Sequence, residues 1–113
     1  MNKKTKLKWI QALNELYDQY QKEAKTLRCL HIDTICPLCK LAYKIKQVSG
    51  NISNICPYCI HTNTKFGQGI RCTDQASYMK VANPFSTREV RRRAMLYRAS
   101  YIKKLREKLE KSL

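Results

Sequence analysis

Acidic side chains are scarce in this sequence. Eight Asp and Glu stand against 23 Lys and Arg over 113 residues, a formal charge of +15. No pair of carboxylates stands out for general acid–base work. Glycine is scarce too. The only three, Gly50, Gly67 and Gly69, form no phosphate-cradling loop of the G-x-x-x-x-G-K type. No Ser or Cys nucleophile has an adjacent base. These absences argue against an enzyme. No apolar run approaches the 18 or so residues of a membrane span. The basic start, Met1 to Lys8, is followed by Glu15 and Asp18 rather than by the apolar core of a signal peptide. The reading is an intracellular, cytoplasmic protein, a compartment in which paired cysteines suggest metal before disulfide.

Glycine, proline and cysteine are unevenly spread. All three prolines, all three glycines and all six cysteines lie between residues 29 and 85. The flanks are free of helix breakers. In residues 5–28, Leu7, Ile10, Leu13, Tyr17, Tyr20, Ala24 and Leu27 recur at steps of three or four, with Trp9 and Leu16 widening the stripe. That period predicts an amphipathic helix. Residues 86–111 predict a second. Ser86-Thr87-Arg88-Glu89 reads as a capping box, with Phe85 and Val90 placed for a hydrophobic staple. On a helical wheel Val90, Ala94, Tyr97, Tyr101 and Leu105 gather as a core face. Within the central segment Leu41, Tyr43 and Ile45 alternate with Lys40, Lys44 and Lys46, the period of a half-buried strand. Ser49-Gly50-Asn51 is a turn, and Ile52 and Ile55 begin a returning strand. Residues 61–85 read as a loop region with a short helix near 74–81.

Two near copies sit in that segment: Ile35-Cys36-Pro37-Leu38-Cys39 and Ile55-Cys56-Pro57-Tyr58-Cys59. Two residues between cysteines let a tight turn aim both sulfurs at one tetrahedral metal, and an all-sulfur shell suits zinc. Residues 35–60 resemble the zinc-ribbon superfamily with its rubredoxin-type knuckles. Lys40 and Ile60 stand where those knuckles place glycine. The resemblance implies one closed, structural zinc ion held by Cys36, Cys39, Cys56 and Cys59. A second site from Cys29, His31, His61 and Cys72 is the lesser alternative to buried cysteines and ordinary histidines. The expected fold is α+β: a central four-cysteine ribbon, built on a β-hairpin, between two long helices in a single domain. With four thiolates and one zinc ion the chain still carries about +13.

A charge of this size calls for a polyanionic partner. Residues 86–113 hold ten basic and three acidic side chains. Arg88, Arg91, Arg92, Arg93, Arg98, Lys103 and Arg106 are the candidate phosphate contacts, with Lys40, Lys44 and Lys46 as a second patch. Tyr17, Tyr20, Tyr97 and Tyr101 are assigned to packing. Tyr43, Tyr58 and Phe66 either stack on unpaired bases or cover the small core. The first expectation is a non-catalytic nucleic-acid-binding protein, for DNA or RNA alike. The second is an interaction protein that binds a nucleoprotein complex such as a nuclease or RNA polymerase, with Trp9, Phe66 and Met79 as anchors. In size and composition the chain resembles phage-encoded regulators and inhibitors, including anti-CRISPR proteins.

Overall fold

The computed structural model describes residues 1–26, 36–46, 59–67, 69, 76–83 and 85–113. Among the described residues every regular element is helical. In chain order these are α1 (Lys3–Thr26), α2 (Pro37–Lys46), a 3-10 helix (Ile60–Thr62), α3 (Ala76–Ala82) and α4 (Arg88–Lys111).

Helix α1 starts two residues earlier than its apolar stripe suggests. The side-chain oxygen of Asn2 accepts from the backbone N–H of Thr5 at 2.8 Å, which supplies the N-terminal cap. From there Trp9, Ile10, Leu13, Leu16, Tyr20 and Ala24 are buried. Fully burying side chains of the size of Leu13 and Leu16 contributes roughly 1.5–3 kcal/mol each. Helix α4 is α1's main partner. The two run antiparallel, since cross-links descend along one as they climb the other. Lys6 reaches Ser112, Asn14 receives Arg106, Tyr20 receives Arg98, and Ala24 receives Arg92. Helix α2 rests on α1, and α3 rests on α4.

The ends of this hairpin are fastened reciprocally. The last carbonyls of a helix have no partner within it, and its C-terminus favours positive charge. Lys6, in the first turns of α1, donates from Nζ to the carbonyl of Ser112 at the end of α4, 2.9 Å away. Arg92, near the start of α4, donates from Nε to the carbonyl of Ala24 near the end of α1, at 3.4 Å. Part of the basic charge is therefore spent inside the molecule.

The expected β-hairpin is overturned. Its first strand, Leu41 to Ile45, lies inside helix α2. Alternation over five residues fits strand or helix; a longer window separates them. Leu38, Leu41, Ala42 and Ile45 follow at helical steps, and the structure buries Leu38 and Ala42 and half-buries Leu41, Tyr43 and Ile45. Pro37 occupies the first helical position, where its missing N–H costs nothing. Lys40 donates its N–H to the carbonyl of Cys36 at 3.0 Å, as a helical residue does. That pairing explains why a non-glycine residue is tolerated here: no left-handed backbone is needed. An α+β ribbon is therefore not the fold. The returning strand's residues, 51–58, lie outside the described residues.

Between the two hairpin helices sits a short ordered stretch. Cys59, Ile60, His61 and Phe66 are buried, and all but His61 join the core formed by α1, α2 and α4. Asn63 organises it: its side-chain oxygen accepts from Lys65 N at 2.8 Å and Phe66 N at 3.0 Å. Gly67 is required where it stands. A Cβ there would lie 2.6 Å from the carbonyl oxygen of Ile60 and closer still to that of His61. Gly69 has φ +71, the left-handed region that glycine occupies without strain.

Candidate nucleic-acid interface

The outward side of α4 is set by which of its residues α1 and α3 cover. Ala94, Met95, Arg98, Ala99, Ile102, Leu105 and Leu109 are buried. Their steps of one, three and four mark a single stripe. It is rotated by about one residue, roughly 100°, from the stripe that Val90, Tyr97 and Tyr101 suggest. Tyr97 is 57% exposed and Val90 is exposed as well. The rotation changes which cations can meet a ligand.

Arg98 does not belong to the surface. It is 5% exposed. Its Nε donates to the Tyr20 hydroxyl and its Nη1 to the Ser77 hydroxyl, each at 3.2 Å. The guanidinium lies 5.5 Å from the Tyr20 ring centroid and 5.6 Å from that of Tyr78. It thus ties α1, α3 and α4 together. Three further arginines are committed to the fold in part. Arg91 donates to the carbonyl of Asn83, Arg92 to Ala24, and Arg106 to the side-chain oxygen of Asn14 at 2.7 Å.

What remains outward is Arg88, Arg93, Lys103, Lys104, Lys108 and Lys111, all exposed. Arg93 pairs with Glu89 at 2.9 Å, but both side chains are mostly solvated, so a phosphate can exchange for the carboxylate at little cost. A wheel centred on Tyr97 and Tyr101 puts Lys104 at the edge of the core stripe, beside Arg93; centred on Arg98 and Ile102 it turns Lys104 and Lys111 outward. Helix α1 adds exposed Lys3, Lys4 and Lys8, and α2 adds exposed Lys40 and Lys44, with Lys46 at its last position.

The cysteines are placed as follows. Cys36 immediately precedes α2, Cys39 lies in its first turn, and Cys59 immediately precedes the 3-10 helix. Cys39 and Cys59 are buried and Cys36 is half-buried. Among the described residues no three His, Cys, Asp or Glu side chains form a group that could hold a metal ion. Cys56, the fourth expected ligand, lies outside the described residues, as do Cys29, His31 and Cys72 of the second expected site. His61 is buried with its ring centroid 5.0 Å from that of Tyr101.

No protein family, curated protein or solved structure matches the chain.

Two expected anchors for a protein partner are also relocated. Trp9 and Phe66 are buried in the core, and only Met79 of the three is exposed. Lys6 and Lys65 approach the Phe66 ring to 5.8 and 5.4 Å from its centroid. No described helix is long and apolar enough to cross a membrane.

Proposed function

We propose that this chain is a non-catalytic, intracellular nucleic-acid-binding protein that takes its ligand along the outer side of α4. The observation that carries the reading is the one-sided set of exposed cations, Arg88, Arg93, Lys103, Lys104, Lys108 and Lys111, on a chain of charge +15. Each cation that neutralises a phosphate releases counterions, so affinity falls with salt. Six such contacts correspond to a log–log slope of about −4 to −5.5. The test is binding of labelled DNA and RNA over a salt series. Lys103→Ala and Arg88→Ala each reduce the slope by about one and weaken binding evenly across sequences. No binding to either polymer at low salt sinks the reading.

We also propose one structural zinc ion on Cys36, Cys39, Cys56 and Cys59, without the ribbon that first suggested it. The support is the duplicated Cys-Pro-x-Cys sequence, together with the place of Cys36 at the start of α2, where helix amides favour a thiolate. Elemental analysis of protein purified without added metal checks it: one zinc per chain is expected, and none overturns it.

A second reading draws on exposed Met79: a regulator that docks on a nucleic-acid-handling protein complex, as the phage-type inhibitors do. Copurification with a nuclease or polymerase at salt that strips nucleic acid favours it over the first.

A further inference from the structure

Two aromatic rings stand in the cationic surface rather than in the core. Phe85 is 91% exposed, and Tyr97 is more than half exposed. The usual arrangement before a helix would fold Phe85 back onto Val90. Here the cap is Thr87, whose hydroxyl accepts from Val90 N at 3.2 Å, one residue later than the sequence suggests. That shift moves Phe85 out of reach of the staple. Its position is nevertheless fixed. Asn83 accepts from Phe85 N through its side chain at 2.9 Å and from Ser86 N through its carbonyl at 3.1 Å, and Arg91 donates to that same carbonyl. The backbone that carries the exposed ring is thus braced, with exposed Arg88 three residues on. Tyr97 sits between Arg93 and Lys104, at steps of four and seven on the same side of α4.

From this placement we propose that the ligand is single-stranded nucleic acid, with Phe85 and Tyr97 as stacking platforms for unpaired bases. This rests on the phosphate-binding reading above. A duplex shows a protein its phosphates and its base edges, and a ring can reach a base face only by wedging between steps. A single strand offers both at once: phosphates for Arg88, Arg93 and Lys104, and free base faces for Phe85 and Tyr97. Each ring has a cation within four residues, Arg88 after Phe85 and Arg93 before Tyr97, which matches that ligand.

The test compares a labelled oligothymidine of about 20 nucleotides, a length that spans more than one typical single-strand site, with a duplex of the same length. The single strand is expected to bind about tenfold more tightly. Phe85→Ala and Tyr97→Ala each lose about five- to tenfold on the single strand, with the salt slope unchanged, because stacking releases no counterions. Tyr97→Phe keeps wild-type affinity. Both side chains are exposed, so the thermal midpoints of the variants stay at the wild-type value. Equal or tighter duplex binding, or alanine variants that bind as the wild type does, overturns the stacking proposal and leaves the phosphate reading standing. Loss of binding to both polymers takes both down. Capture by phosphatidylserine vesicles that Phe85→Ala abolishes, with oligonucleotide binding unaltered, assigns the rings to lipid and overturns it as well.

Discussion

Arg98 shows how far a single side chain can mislead a reading of sequence. Arginine is seldom buried, so an arginine in a basic helix is placed on the surface by default. This one carries hydrogen bonds to hydroxyls on α1 and α3 and packs against two tyrosine rings. Putting it outside rotates the whole wheel and sends Tyr97 inward. Glu23, fully buried on α1 with Gln19 donating to it at 3.4 Å, escapes sequence reading for the same reason. The two kinds of cation separate experimentally. Arg98→Ala removes two buried hydrogen bonds and opens a cavity, and is expected to destabilise by about 3 kcal/mol in urea unfolding. Measured where the variant remains folded, its salt slope for nucleic acid stays that of the wild type. Lys103→Ala does the reverse, changing stability by less than about 0.5 kcal/mol while lowering the slope. An Arg98 variant with normal stability contradicts the buried network.

At the scale of elements, α1 and α4 are legible because each offers more than twenty residues of one period. A stripe of that length tolerates errors at its margins, such as exposed Leu7. Helix α2 is short, and in ten residues strand and helix periods share several positions. The deciding members, Leu38 and Ala42, are small in number and easily left out when Leu41, Tyr43 and Ile45 are aligned. The start of α4 is off by one residue for a related reason: Ser86 and Thr87 are both good caps, and only backbone geometry chooses between them. Thr87→Ala is expected to cost about 1 kcal/mol and Ser86→Ala much less. Thermal melts of the two variants check the assignment; a larger loss from Ser86→Ala would restore the capping box. The candidate interface was legible in kind, as a basic helix, but not in detail, because its orientation depends on what α1 and α3 cover.

Across the whole molecule, like charges dominate the exposed surface. The two ion pairs among the described residues, Arg93–Glu89 and Arg106–Glu110, both lie within α4. The Arg93–Glu89 pair, mostly solvated, contributes little. Net repulsion therefore opposes the compact state, and counterions relieve it. Adding moderate amounts of monovalent salt is expected to raise the melting temperature of the protein while weakening its hold on nucleic acid. Calorimetry in parallel with the binding series tests the pair of trends. A melting temperature that falls with salt would mean that attraction, not repulsion, governs the surface.

The antiparallel pairing of α1 with α4 has a kinetic consequence. These helices are the outermost elements of the chain, separated by about sixty residues. Helical proteins fold quickly because their contacts are local, but here the principal contact is among the most distant in sequence. The ordering entropy of so long a closure is spent before Leu13, Leu16 and Ile102 can meet. Folding is expected to run slower than in bundles whose neighbours follow one another.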